Sequence, residues 1–191
     1  NNLAYLGEDP QLRRFILTRG LLTATALAPP FMIAVGSAGD ESYGKLGFLV
    51  LASALASLCS SFVWGRLSDR SSRKVLVFSA MVAAIILAAT SWLAFAGTLG
   101  GGLILPVLLF GLMIAYQGVR LGRSTHLVDM AGKETRAAYT ALSNTIIGLL
   151  LLAGGVFSLV ANWFGGEMVL AIMAGMSGLA IFAAWGLEEV Q

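Results

Sequence analysis

The decapeptide Gly65-Arg66-Leu67-Ser68-Asp69-Arg70-Ser71-Ser72-Arg73-Lys74 sets a lone carboxylate, Asp69, among four cations. A carboxylate so placed can accept charge-assisted hydrogen bonds or cap a helix N-terminus, contacts that one conformation makes and another breaks. Gly65 would let the preceding helix end approach a neighbour closely. A second basic group is Tyr116, Arg120 and Arg123, which share a helical face, with Gln117 adjoining them. Arg19 is the deepest base of the first apolar run, five positions beyond Arg14 and hence roughly 7–8 Å further along a helix. Its long stem suits snorkelling to the interface, with lining a cavity as the second role. Thr140, Ser143, Asn144 and Thr145 cluster near the start of one apolar run, where hydroxyls and amides must find partners, either on neighbouring helices or on a solute.

These residues can bind and gate, but they do not assemble covalent chemistry. One histidine and one cysteine leave no cluster of transition-metal ligands and no disulfide within the chain. No G-x-S-x-G motif occurs, so an intramembrane hydrolase lacks its nucleophile and a desaturase its histidines. The expectation is no enzyme activity and no cofactor. His126, among arginines, is expected in a loop facing water.

The elements that position these groups follow from composition. Of 191 residues, 58% are hydrophobic and 12% charged, against roughly 25% charged in soluble domains, so a water-soluble globule is excluded. No Asp, Glu, Lys or Arg occurs in 20–39, 46–65, 75–119, 137–166 or 168–187. About 20 helical residues cover the ~30 Å hydrocarbon core, so the longest run is two spans, broken at Gly97-Thr98-Leu99-Gly100-Gly101-Gly102. Pro106 suits the first turn of the next helix. A β-barrel is excluded because runs such as 146–153 do not alternate polar with apolar. The reading is an all-α integral membrane protein with six spans, at about 15–37, 45–66, 74–97, 103–124, 136–161 and 166–187. Residues 1–14 are expected to be a cytoplasmic linker or tail and 188–191 a cytoplasmic tail. Pro29 and Pro30 should kink the first helix.

Lys and Arg concentrate on the cytoplasmic side of short connections. Placing the N-terminus inside puts eleven of the twelve basic residues on or near that side, leaving only Lys45 outside. Both termini are then cytoplasmic, with outer connections at 37–44, near residue 100 and at 161–167.

The loop after the second span resembles the signature of the major facilitator superfamily (MFS), G-x-L-[AS]-D-R-x-G-R-[RK]. Gly65, Leu67, Ser68, Asp69, Arg70, Arg73 and Lys74 match, and Ser72 departs where the family usually has Gly. The resemblance implies a six-transmembrane-helix bundle that is half of a twelve-helix MFS transporter fold, working by alternating access with no cofactor. The segment from Tyr116 to Met130, followed by Arg136 to Thr145, looks like the fourth-to-fifth helix region of bacterial members and favours the C-terminal half, helices seven to twelve. The stretch Gly7-Glu8-Asp9-Pro10 then reads as the end of a central linker, and the initial Asn1 as the mark of a fragment.

By that resemblance Gly65, Leu67, Asp69, Arg70, Arg73 and Lys74 form a conformational gate. Asp69 is expected to pair with a basic residue when the protein is open to the outside. Helical spacing nominates Arg73, and analogy with the family nominates Arg136. The substrate pathway is expected along Arg19, Tyr116, Gln117, Arg120, Arg123, Ser143 and Asn144. The partners implied are the lipid bilayer of a bacterial inner membrane, a small-molecule substrate and the other six-helix half, and no nucleic acid. The competing reading is a complete six-helix structural or accessory membrane protein, homodimeric in one form.

Overall fold

The computed structural model describes residues 4–36, 43–99 and 102–189, all of whose regular structure is helical. Six helical stretches are long and apolar enough to cross a bilayer. The first is interrupted, giving α2 (Pro10–Leu22) and α3 (Ala24–Gly36), and follows the short α1 (Ala4–Glu8). Then come α4 (Tyr43–Ser68), α5 (Ser72–Phe95) and α6 (Ile104–Met130). The fifth stretch comprises α7 (Arg136–Ala153) and α8 (Val156–Phe164), and the sixth is α9 (Gly166–Trp185). The expected outer connection at 37–44 and the middle of the glycine break fall largely outside the described residues.

Local chemistry explains the ends. Asp9 caps α2, its carboxylate accepting from the backbone N–H groups of Gln11 at 2.8 Å and Leu12 at 3.2 Å, with Pro10 in the first position. Residues 10–14, expected to be linker, are therefore the first turn of the first membrane-spanning stretch. Its interruption falls at Thr23 and not at Pro29-Pro30, which lie inside α3. Pro29 and Pro30 lack the N–H groups that would bond the carbonyls of Thr25 and Ala26, and the interruption lies six residues before Pro29. There the Thr23 and Thr25 hydroxyls donate to the carbonyls of Gly20 (2.6 Å) and Leu22 (2.7 Å). Gly97 and Gly102 take φ of +68° and +52°, the left-handed geometry that the glycine-rich break between α5 and α6 requires.

In the bundle α5 lies along both α9 and α6, while α4 packs on α6 and α7 on α2. Number the six stretches in order and exchange the first three with the last three. The α5–α6 contact then becomes the contact of α2 and α3 with α9, α4–α6 becomes α7–α2, and α4–α5 becomes α8–α9. The α5–α9 and α3–α6 contacts map onto themselves. Among the described residues, the α4–α6 contact is far more extensive than its counterpart α7–α2, and the slight contacts of α3 with α5 and of α6 with α7 have no counterpart of similar extent. Because three spans reverse direction, the remaining pairs have the pattern of an inverted repeat.

Lipid supplies no hydrophobic drive for association between helices, so close approach at small residues does much of the holding. Gly118 of α6 is the tightest case. A Cβ there would collide with Ser79 Oγ and lie 2.6 Å from Trp64 Cε2. Trp64 has little room to yield, because its indole N–H donates to the Ile114 carbonyl at 2.8 Å. Gly118→Ala is therefore expected to destabilise the chain by about 1–3 kcal/mol in thermal unfolding in detergent. Gly148→Ala, where a Cβ meets nothing within 4 Å, is the control and should stay within about 0.5 kcal/mol of the parent.

Candidate functional site

Arg19 is buried on α2, only 7% exposed. Its guanidinium donates through Nη1 to Ser143 Oγ and through Nη2 to Asn144 Oδ1 at 3.0 Å, joining α2 to α7. The guanidinium also lies over Phe15, 5.7 Å from the ring centroid. The snorkelling expected of Arg19 is thus replaced by an interhelical clamp. The reason is the polar turn at 143–144: a guanidinium that finds fixed acceptors at depth need not reach for the interface.

Arg19 also lines a cleft of about 150 Å³ together with Thr23, Thr25, Tyr116, Arg120 and Arg123, the apolar wall being Leu22, Val119, Ile147 and Leu151. The spacing of Tyr116, Arg120 and Arg123 along α6 does place them on one surface. They are deeper than the sequence suggested, since α6 continues to Met130 and not to 124. Arg120 lies ten residues before that end, about 15 Å along the helix. Among the described residues, neither Arg120 nor Arg123 makes a hydrogen bond or ion pair.

Gln117 turns the other way. Its amide donates to Ser57 Oγ at 2.9 Å, and both line a second cleft of about 210 Å³ between α4 and α6 with Ser60, Ser61, Trp64, Ser124 and Arg120. Arg120 belongs to both clefts, so one polar surface runs from α4 across α6 to α2 and α7. Ser57, Ser61, Arg120, Asn144 and Thr145 on this surface are exposed. The serines of α4 were missed in the sequence because small residues at helical spacing read as packing. Their signal was the spacing of Ser53, Ser57 and Ser61, four apart.

The signature loop lies at the end where the basic residues gather. Asp69 and Arg70 are exposed, and Leu67 and Gly65 are half-buried. A Cβ at Gly65 would meet nothing within 4 Å, so the close approach expected there is not made within this chain. Neither partner expected for Asp69 reaches it. Arg73 donates to the Leu187 carbonyl (3.2 Å) and to Glu189 (3.0 Å), and Arg136 to the Val128 carbonyl at the end of α6 (3.1 Å). The chain leaves the helix between Ser68 and Ser72, so helical i, i+4 spacing does not apply between Asp69 and Arg73. Ser71 caps α5 by accepting from the Lys74 N–H.

The departure at Ser72 has a use. No non-glycine residue has positive φ among the described residues, and Ser72 is the first residue of α5. Its hydroxyl pairs with His126 Nδ1 at 3.0 Å. His126, expected in a wet loop, is instead 1% exposed on α6 and stacked on Phe15 at 5.5 Å between centroids.

The stretch 186–189 is strapped across this end. Arg14 donates to the Gly186 carbonyl at 2.7 Å, the Glu188 N–H donates to Gln11 Oε1 at 3.2 Å, and Lys74 lies 3.6 Å from Glu189. No group of three or more His, Cys, Asp or Glu side chains suited to a metal occurs among the described residues. No family model matches the chain, and comparison with curated proteins and with solved structures finds no match.

A hydrogen bond from Ser71 holds the Glu189 carboxyl below its ordinary value, with Arg73 and Lys74 adding attraction. A depressed carboxylate pKa means that the hold of Glu189 on the strap is complete above the ordinary carboxylate range and is lost as pH falls through the lowered value, which leaves the bonds of Arg14, Arg73 and Gln11 to the strap backbone. A spin label at Glu188→Cys, in a Cys59→Ser background, should be restrained at neutral pH and become mobile in acid. Adding Glu189→Gln should make it mobile at both, and a label equally restrained in every case would refute the strap.

Proposed function

We propose that the chain is one six-helix half of an MFS-like secondary active transporter, moving a small solute by alternating access across a cleft shared with another six-helix bundle. The observation that carries this reading is the polar surface on α4, α6, α2 and α7. Ser57 lies eleven residues before the end of α4 and Arg120 ten before the end of α6, about 15–17 Å from those ends and about 10–12 Å inside a ~30 Å hydrocarbon core centred on helices of about 40 Å. A guanidinium and a row of hydroxyls at such depth are costly against acyl chains, and polar groups in spanning helices face a bundle interior or a water-filled cavity. Elsewhere the surface suits lipid: Phe78, Ile85, Leu179 and Phe182 on α5 and α9 are exposed. Two further observations support the reading. The packing follows a 3+3 inverted repeat, the internal symmetry of each half of such transporters, and the signature loop stands between the second and third spans.

In this reading the basic end is cytoplasmic, in the inner membrane of a bacterium. The clefts form one wall of the solute pathway, with Arg19, Tyr116, Arg120, Arg123, Ser143, Asn144 and Gln117 on or beside it. Asp69, exposed and unpaired among the described residues, is available to a cation or helix end of the second bundle. Making and breaking that contact at the mouth would bias the two access states.

The experiment is water access by depth. In a Cys59→Ser background reconstituted in bilayers, Ser61→Cys and Asn144→Cys should react rapidly with a membrane-impermeant thiol reagent. Phe78→Cys and Leu179→Cys should not react. Equal protection at all four positions would place the polar surface against lipid and refute the reading.

A further inference from the structure

Three guanidiniums, those of Arg19, Arg120 and Arg123, border the 150 Å³ cleft between α2, α3, α6 and α7, and no Asp or Glu lines it. Arg19 uses two of a guanidinium's five N–H donors on Ser143 and Asn144, and its buried Nε has no partner. Arg120 and Arg123 have no hydrogen bond or ion pair among the described residues. Tyr116, Thr23 and Thr25 add hydroxyls, although the two threonines donate to backbone carbonyls and offer chiefly their lone pairs. The nearest acid along α6, Asp129, is exposed six residues beyond Arg123, about 9 Å along the helix. Bases gathered at membrane depth without counter-charge repel one another, and a bound anion relieves that repulsion.

We propose that this cleft receives a small solute anion whose carboxylate or phosphate oxygens are held by Arg120 and Arg123 beside the clamped Arg19. The proposal rests on the transporter reading and specifies its substrate class. Guanidinium forks suit planar or tetrahedral oxyanions, which they bind bidentately. Arg19 acts as a positioning residue: its bonds to α7 fix the wall against which the anion lies.

The test is calorimetric titration of the full chain in phosphatidylcholine nanodiscs with succinate, inorganic phosphate and the neutral succinamide. At least one anion should bind saturably and more weakly as salt rises, with succinamide not binding. Arg120→Gln and Arg123→Gln should each weaken binding roughly tenfold or more, and Arg120→Lys should retain part of it. Among the described residues these two arginines make no hydrogen bond or ion pair, and unchanged helicity and elution of the variants would confirm that they fold. Adding phosphatidylglycerol to the discs separates solute from lipid. Unchanged solute binding supports the proposal, whereas its abolition assigns the cleft to a lipid headgroup and overturns it. Binding of neither anion, equal binding of succinamide, or indifference to both Gln variants would also overturn it. Water access at Ser61 and Asn144 does not depend on ligand charge, so loss of the anion assignment with access retained would leave the transporter reading standing.

Discussion

A guanidinium within a bilayer-spanning helix cannot be left to hydrocarbon, and the arrangement of half the bundle answers to that constraint. Arg19 stays charged at any physiological pH, so α2 must present it to acceptors or to water. The polar turn of α7 supplies the acceptors, through Ser143 and Asn144. Once α7 is held there, the small residues beside the clamp set the approach. Gly20 faces Leu150, and Gly154 faces Leu27. The cleft is the space left between this clamp and the face of α6 that carries Tyr116, Arg120 and Arg123.

Both helices joined by the clamp are interrupted further along, α2 at Thr23, four residues past Arg19, and α7 at Gly154-Gly155, ten residues past Asn144. At Thr23 both the hydroxyl and the backbone N–H bond the Gly20 carbonyl, three residues back. At Gly154 and Gly155 the backbone tightens, each N–H bonding three residues back, to Leu151 and Leu152. Discontinuous helices beside a polar cleft are how transporters bring backbone and side-chain polar groups to membrane depth without exposing them to lipid. The second constraint lies at the basic end, where Arg73 and Lys74 hold the strap through Glu189. Asp69, which helical spacing would pair with Arg73 and the family resemblance with Arg136, is left exposed.

The six spans were legible because charge-free runs of bilayer length have few other uses, and the glycine break because a sharp turn needs positive φ. The gathering of bases at one end was legible from the positions of Arg and Lys alone. What hid from the sequence was any polar group satisfied inside the bundle. Hydropathy treats Arg120, Arg123 and His126 as marks of an interface, so the fourth span, α6, was ended six residues early. His126 is buried because Ser72, distant in sequence, offers it a hydroxyl. Likewise the burial of Arg19 depends on Ser143 and Asn144, more than 120 residues away, which no local pattern reveals. A kink was expected at Pro29-Pro30, whereas the stretch is interrupted at Thr23 and α3 runs unbroken through both prolines.

The most direct measurement is a double-mutant cycle on the clamp. Thermal unfolding in one detergent would compare the parent with Arg19→Met, Ser143→Ala and the pair. A charged hydrogen bond between spanning helices predicts a coupling of about 1–2 kcal/mol, with the second substitution costing far less once the first is made. Additive losses in this cycle and in the matching one with Asn144→Ala would contradict the account, because neither acceptor of the clamp would then hold α7 to Arg19.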